Sequence, residues 1–558
     1  MKKSGFIEGA FVATLAIFLS KLLGIIYVIP FYNIVGTKGG ALYGYAYNIY
    51  NLFLIISSAG IPLAISKLSS EYNALNKTKE KEYMFKTTKK IIRIFSIISF
   101  LICFIFAEQI AKLIIGSLSG GNTYKDIAFV IRSVSFGVLV VPLLSVSRGY
   151  LQGHGYIRCS SFSQVLEQIV RVLVVVGGSF SALKIFKLSL TTSVGIAVFG
   201  ACLGALTAYI YLINKLNKIK TQDVKVEDLK KEEKKEIIKK IIYYSIPFIV
   251  ISICNSLYNT VDMILLIRGL NYLKFDATSI ETISSIFTTW GHKLNAIITS
   301  IATGVAISLV PNIAKSNAIN DKSDINKKFN KIIQIFFYIA LPLSIFMSIF
   351  SKEIWQIFYG NSIYGPKVFK LLIFTASIDA LYIMICNGLQ GLNKTKLIYV
   401  SVITGLLINL TLDIPLMLLM NKLNIYPYYG AIISTLIGYS ISLIIPLIEL
   451  QKKYDLNYKE TFEKLPKLFV TYIIMIFLSL LYHVIINNIQ SRLLLIILLM
   501  IFGTILLVIY IIINKNEIED LIDTNFKSLL KRKTWLYEHM DYNINFSSNY
   551  IYFSSTIL

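Results

Sequence analysis

The chain has 558 residues, 55% of them hydrophobic and only 15% charged, with a mean hydropathy of +0.66 and a formal net charge of +24. Soluble domains carry about 25% charged residues, so an ordinary water-soluble globule is excluded. Apolar runs of about 20 residues recur along the whole length, each long enough to cross a bilayer.

In chain order, membrane spans are expected at 6–30, 41–65, 91–115, 127–150, 157–183, 189–213, 241–267, 283–310, 331–350, 368–389, 397–420, 429–450, 468–488 and 492–514. The first is read as a retained helix, because the run after Met1-Lys2-Lys3 lacks a small-residue cleavage site. With the amino terminus inside, the internal stretches hold roughly 39 of the 55 Lys and Arg and the external ones roughly 12. That asymmetry predicts a multi-pass protein of the plasma membrane with both termini cytoplasmic. It also assigns the positive charge to anionic lipid and leaves nucleic acid without a role.

The expected fold is therefore an all-α integral membrane protein of fourteen helices. Leu151-Gln152-Gly153 and Leu389-Gln390-Gly391 close the fourth and tenth spans about 240 residues apart, a spacing that reads as a repeat. Two pseudo-symmetric six-helix lobes follow, over 1–213 and 241–450, joined by a cytoplasmic linker at 214–240. Helices within 468–514 are appended, and 515–558 is a cytoplasmic tail. The lysine-rich segment 66–93 is expected to continue as helix into the third span. Pro62 and Pro311 near the internal ends of the second and eighth spans suggest paired kinks, with plain helix punctuation as the alternative.

Ionisable side chains deep in a membrane cost roughly 2.5–3.5 kcal/mol each, so each asks for a reason. In the fifth span, Gln164, Glu167, Gln168 and Arg171 share one helical face, and Glu167 precedes Arg171 by four residues, the favourable order for an ion pair. The stripe either lines an aqueous cavity or locks the helix to its neighbours. Asn255, Asn259 and Asp262 form a second stripe in the seventh span, and Lys293 and Lys21 lie in the eighth and first. Lys21 and Asp262, on equivalent helices, are expected to approach a central cleft. Snorkelling is the alternative for the lysines, above all for Lys293. Arg148 reads as a cytoplasmic anchor, and Asp413 as a weaker cation ligand. Cys103, Cys159, Cys202, Cys254 and Cys386 have no disulfide or zinc spacing. There is no P-loop and no catalytic triad or metal-protease pattern, so neither direct ATP use nor enzyme activity is expected.

Several stretches together resemble the MurJ-type branch of the multidrug/oligosaccharidyl-lipid/polysaccharide (MOP) exporter superfamily, in its YtgP/SpoVB-like subgroup. They are Leu19-Ser20-Lys21-Leu22-Leu23-Gly24, Gly60-Ile61-Pro62-Leu63-Ala64-Ile65-Ser66-Lys67 and Arg148-Gly149-Tyr150-Leu151-Gln152-Gly153. To these add Ser163-Gln164-Val165-Leu166-Glu167-Gln168-Ile169-Val170-Arg171, Leu257-Tyr258-Asn259-Thr260-Val261-Asp262 and Leu389-Gln390-Gly391-Leu392-Asn393-Lys394. The resemblance implies two six-helix lobes plus two helices around a cationic cavity. It implies flipping of an undecaprenyl-pyrophosphate-linked sugar, lipid II in this branch, driven by membrane potential or by a coupling cation such as Na+ or H+. Lys21 matches a basic position of the family. Where the Gram-negative branch adds further basic residues this chain has Tyr27 and Ile55, which passes the pyrophosphate contacts to Lys293, Arg171 or Arg132. Another lipid-linked glycan, a cation-coupled drug exporter and a non-transport scaffold in cell-wall or spore-cortex assembly are the competing readings.

Overall fold

The computed structural model describes residues 16, 19–20, 22–58, 60–116, 121–219, 229–454, 456–486 and 492–522. Lys21, the side chain of Asn255, part of the linker and the tail beyond 522 lie outside the described residues. No strand occurs among the described residues. The first lobe contains α1 (Val28–Ser58), α2 (Ile61–Ala74), α3 (Thr78–Ile105), α4 (Ala107–Ile115), α5 (Tyr124–Gly153), α6 (Ile157–Leu173) and α7 (Leu190–Ile219). The second contains α8 (Lys231–Tyr272), α9 (Ala277–Ser285), α10 (Gly291–Ala318), α11 (Lys322–Ile335), α12 (Leu341–Ile349), α13 (Ser351–Tyr359), α14 (Gly365–Gly391), α15 (Thr395–Lys422) and α16 (Tyr428–Tyr454). After these come α17 (Lys459–Ile486), α18 (Arg492–Ile513) and α19 (Lys515–Ile522).

Helix occupies each of the fourteen expected segments among the described residues. Among the described residues, nine helices qualify as spans by length and apolarity, or ten when α3 and α4, bent by 60° at Phe106, are taken as one broken span. Single π-helical turns at Val174–Gly178 and Ile286–Trp290 extend α6 and join α9 to α10.

The repeat is written into the helix ends. Left-handed residues recur as Gly36 and Lys274, Asn76 and Asn320, Gly116 and Gly360, Gly155 and Asn393, Lys187 and Asn424, each pair about 240 residues apart. At the two Gln-Gly corners the hydrogen bonds match as well. Gly155 N donates to Gln152 O at 3.0 Å and Tyr156 N to Leu151 O at 2.9 Å; Asn393 N donates to Gln390 O at 3.0 Å and Lys394 N to Leu389 O at 2.9 Å. Each is a Schellman cap, closing the last turn where a left-handed residue is tolerated.

Three expectations need revision. Gly36 and Gly60, both with positive φ, place the second span between them, so it ends at Ser58 and not at 65. Gly60 caps a new helix with Pro62 in its first turn, where a missing donor costs nothing. In the second lobe helix continues through 311, so the break exists on one side only. The linker is also shorter than 214–240, because α7 runs to Ile219 and α8 starts at Lys231.

Glycines set the tightest contacts. A Cβ on Gly149 would stand 2.4 Å from Pro62 O, and one on Gly153 2.5 Å from Ser66 O, so α5 touches the backbone of α2. A Cβ on Gly204 would stand 2.6 Å from Glu167 O and 3.4 Å from Arg171 Cβ, which seats α7 directly against α6 at the turn that carries this ion pair.

The chain divides into two compact units. One runs to Ile332 and resumes over Ile339–Asn457; the other comprises Ile333–Tyr338 and the residues from Tyr458. In the second, Tyr510 donates to Tyr338 O at 2.8 Å and Lys467 meets Glu517 at 2.7 Å. Phe469, Ile473, Phe477, Leu480 and Ile512 are exposed there, as lipid-facing residues would be.

Candidate functional site

α1 carries Tyr43, Tyr47 and Tyr50 at helical spacing, so their rings form a stripe: 43 and 47 stack at 5.2 Å, 47 and 50 lie 5.4 Å apart. Lys293, from α10 of the other lobe, reaches into this stripe. Its ammonium stands 5.3 Å from the ring centre of Tyr27 and 5.9 Å from that of Tyr47. A cation over aromatic faces keeps part of its solvation by the ring quadrupoles, which makes a half-buried lysine tolerable. Lys293 is thus turned inward, and Tyr27 is one of its walls.

The stripe on α6 faces the same interior. Arg171 bonds Glu167 through Nη2, and Arg148 of α5 meets the other oxygen of Glu167 at 2.9 Å. The Arg148, Glu167 and Arg171 side chains are only 17%, 10% and 19% exposed. Arg148 is therefore a member of the interior cluster and not the anchor that its place at a span end suggests. Gln168 Nε2 lies 3.5 Å from the point where a Cβ on Gly24 would stand, and Gln164 is half-buried on the same face. Arg132 takes no part: it pairs with Glu108 at 3.2 Å and is partly exposed.

Asp262 and Asn259 belong to a different place. They line a cavity of about 170 Å³ enclosed by α8, α10, α14 and α16, together with His292, Asn295, Asp379 and Thr435. Asp262 accepts hydrogen bonds from Asn409 Nδ2 and Thr435 Oγ1, both at 2.8 Å. Asp413, fully buried on α15, has both carboxylate oxygens without a hydrogen-bond partner. α10 separates the two groups: His292, Asn295, Ala296 and Thr299 face the cavity, while Lys293 points to the tyrosines. The sequence signals for His292 and Asp379 were present but ambiguous, His292 lying beside Lys293 near a span end and Asp379 standing among apolar neighbours. Arg148, Tyr43, Tyr47 and Tyr50 required the tertiary contacts.

At one end the lobes meet through Trp290. Its indole sits 5.9 Å from Phe31, 5.1 Å from Tyr32 and 5.5 Å from Tyr359 between ring centres. A Cβ on Gly40 would stand 2.3 Å from this indole, and Thr289 donates to Gly40 O at 2.9 Å. Beside it, buried Glu281 accepts the backbone N–H of Asn122. The aromatic cluster thus closes the seam between the lobes at this end.

The family profile described as "Polysaccharide biosynthesis protein" matches residues 6–271, and the profile MatE matches 247–414. The chain is 30% identical over 465 residues to "Lipid II flippase MurJ" of Bacillus subtilis (strain 168), covering 82% of this chain and 84% of that protein. The chain belongs to the MurJ-type flippase family of the MOP exporter superfamily. Solved structures agree on the fold. One described as "Lipid II flippase MurJ, inward closed conformation" superposes with a TM-score of 0.66 at 16% identity, over 91% of this chain and all of the other. An inward-facing multidrug resistance MATE family transporter of the MOP superfamily gives 0.61 at 14% identity, over 79% and 98%. As a MurJ-type protein the chain is a multi-pass membrane transporter and not an enzyme.

Proposed function

We propose that this protein flips an undecaprenyl-pyrophosphate-linked cell-wall precursor, lipid II before others, from the inner to the outer leaflet by alternating access. One observation carries the reading: Lys293 and Arg171, from different lobes, are held inside the bundle in a tyrosine-lined interior closed at the Trp290 end. Half-buried cations without a full set of counter-charges favour an anionic cargo. The lysine-rich stretches place the Arg148 end at the cytoplasm by the positive-inside rule, so the interior receives cargo from the side where precursors are made. The similarity to a lipid II flippase supports the substrate class. The test is leaflet exchange of labelled lipid II in vesicles containing the purified protein. Acceleration above protein-free vesicles is expected, and its absence beside a working control would refute the proposal.

The acidic side supplies the coupling. Asp262, Asn409, Thr435 and the unpartnered Asp413 offer hard oxygen donors of the kind that hold Na+ or exchange H+. Among the described residues no three His, Cys, Asp or Glu groups converge as for a transition metal. The same acidic cavity, with the MATE-like fold, favours a second reading as a cation-coupled drug exporter. Export of cationic dyes without any lipid exchange would decide for it. A scaffold role would leave cell-wall precursor levels unchanged on depletion.

A further inference from the structure

Two guanidiniums share one carboxylate where α5 meets α6. Arg148 also donates from Nε to Ser163 Oγ at 2.8 Å, so its head is fixed by two partners on the neighbouring helix. Yet Arg148 Nη2 and Arg171 Nε are buried without a hydrogen-bond partner. Each arginine presents five N–H donors, and one glutamate cannot satisfy both forks. The cluster therefore carries one uncompensated positive charge and two buried guanidinium nitrogens whose N–H groups are unused.

We propose that Glu167 is a built-in stand-in for a phosphate, and that Arg148 is a phosphate ligand which Glu167 occupies between cargoes. The inference rests on the flippase reading and deepens it. An incoming phosphate or pyrophosphate offers more oxygens and more charge than one carboxylate, and matches the arginine forks bidentately. It takes over the donors that Glu167 holds, and Glu167 reclaims them when the cargo leaves. The carboxylate thus prevents two guanidiniums from being buried bare in the empty state, which would be strongly unfavourable. It also weakens cargo binding enough for release. A pure helix-to-helix bolt predicts something different: removing either partner damages the protein in the same direction.

Glu167→Gln and Arg148→Gln should shift affinity in opposite directions. The measurement is binding of labelled undecaprenyl pyrophosphate to purified protein, with undecaprenyl monophosphate and inorganic pyrophosphate as competitors, followed by leaflet exchange in vesicles. Glu167→Gln is expected to bind about tenfold tighter and turn over more slowly, while Arg148→Gln binds at least about tenfold more weakly. Arg148→Lys, which keeps the charge and loses the fork, should recover part of the affinity. It should lose the preference for pyrophosphate over monophosphate. Inorganic pyrophosphate competes if the cluster reads the phosphates alone; competition by the lipid-linked forms only places recognition in the whole headgroup, and either result fits the role of Arg148. Weaker binding by Glu167→Gln, or unchanged binding by Arg148→Gln, overturns the inference. If Arg148→Gln does not accumulate, the sign of the Glu167→Gln effect decides alone. A wild-type protein that binds no polyprenyl phosphate and flips none overturns the flippase reading itself, and this inference with it.

Discussion

Lys293 and Glu167 show how one side chain reports more than its charge. The cation–π contacts of Lys293 are worth roughly 0.5–2 kcal/mol, a modest part of the stability of a 558-residue protein. Lys293→Gln should therefore leave protein levels and melting nearly unchanged while lipid exchange falls at least about tenfold, and Lys293→Arg should keep most of it. Exchange rates normalised to protein amount check both. Gly405 tests the opposite case, in which packing alone matters. A Cβ there would stand 2.0 Å from Ser442 Oγ and 2.4 Å from Tyr258 Oη. Gly405→Val should cost about 1–3 kcal/mol by overpacking, read as a lower melting temperature in detergent. Of these residues, Glu167 with Arg171 was legible as a pair from the four-residue spacing. The third member was not, because Arg148 lies on the preceding helix, and only the turn through Gly155 folds it back.

At the scale of elements, the decisive feature is the seam between α1 and the turn Ile286–Trp290. The π-helical turn inserts one extra residue per turn, which rotates Trp290 toward Gly40 and Lys293 toward Tyr27 from neighbouring positions. Gly40 lacks a side chain where the indole lies. Gly40→Leu should push Trp290 out and weaken the closure. A cysteine placed at Asn48, beside Tyr47 on α1 with its Nδ2 3.7 Å from Met263 Sδ, should then react faster with a membrane-impermeant thiol reagent added from the Trp290 end. Trp290→Ala should do the same and cost about 3–5 kcal/mol, the usual loss for a buried large aromatic. Labelling at the wild-type rate in both variants would show that the seal lies elsewhere. The helix caps teach a complementary point. Gly155 and Asn393 occupy equivalent left-handed positions although one is glycine and the other asparagine, since both residues accept that backbone region.

For the whole molecule, α10 is the shared wall between a basic interior and an acidic cavity, which the proposed function assigns to the lipid headgroup and to a coupling cation. A transporter so built can link cation occupancy to the position of α10 without the two ligands touching. Asp413→Asn should then remove the dependence of lipid exchange on a Na+ or H+ gradient while headgroup binding persists. Flux measured with and without each gradient checks this. A variant that keeps gradient dependence would move the coupling site away from Asp413.

The sequence by itself determined the membrane setting, the helical class, the duplicated lobes and the stripe on α6. These rest on composition, local periodicity and recurring corners, all of which are set by neighbours along the chain. It did not determine which stripes meet. Asp262 and Lys293 looked like members of one cleft, yet they lie on opposite sides of α10, and Arg148 looked like an anchor, yet it shares Glu167 with Arg171. The rotational phase of one helix against another depends on glycine contacts such as Gly204 on α6, and on π-helical turns that shift the register. Those are fixed by packing in three dimensions, and only the tertiary structure decided them.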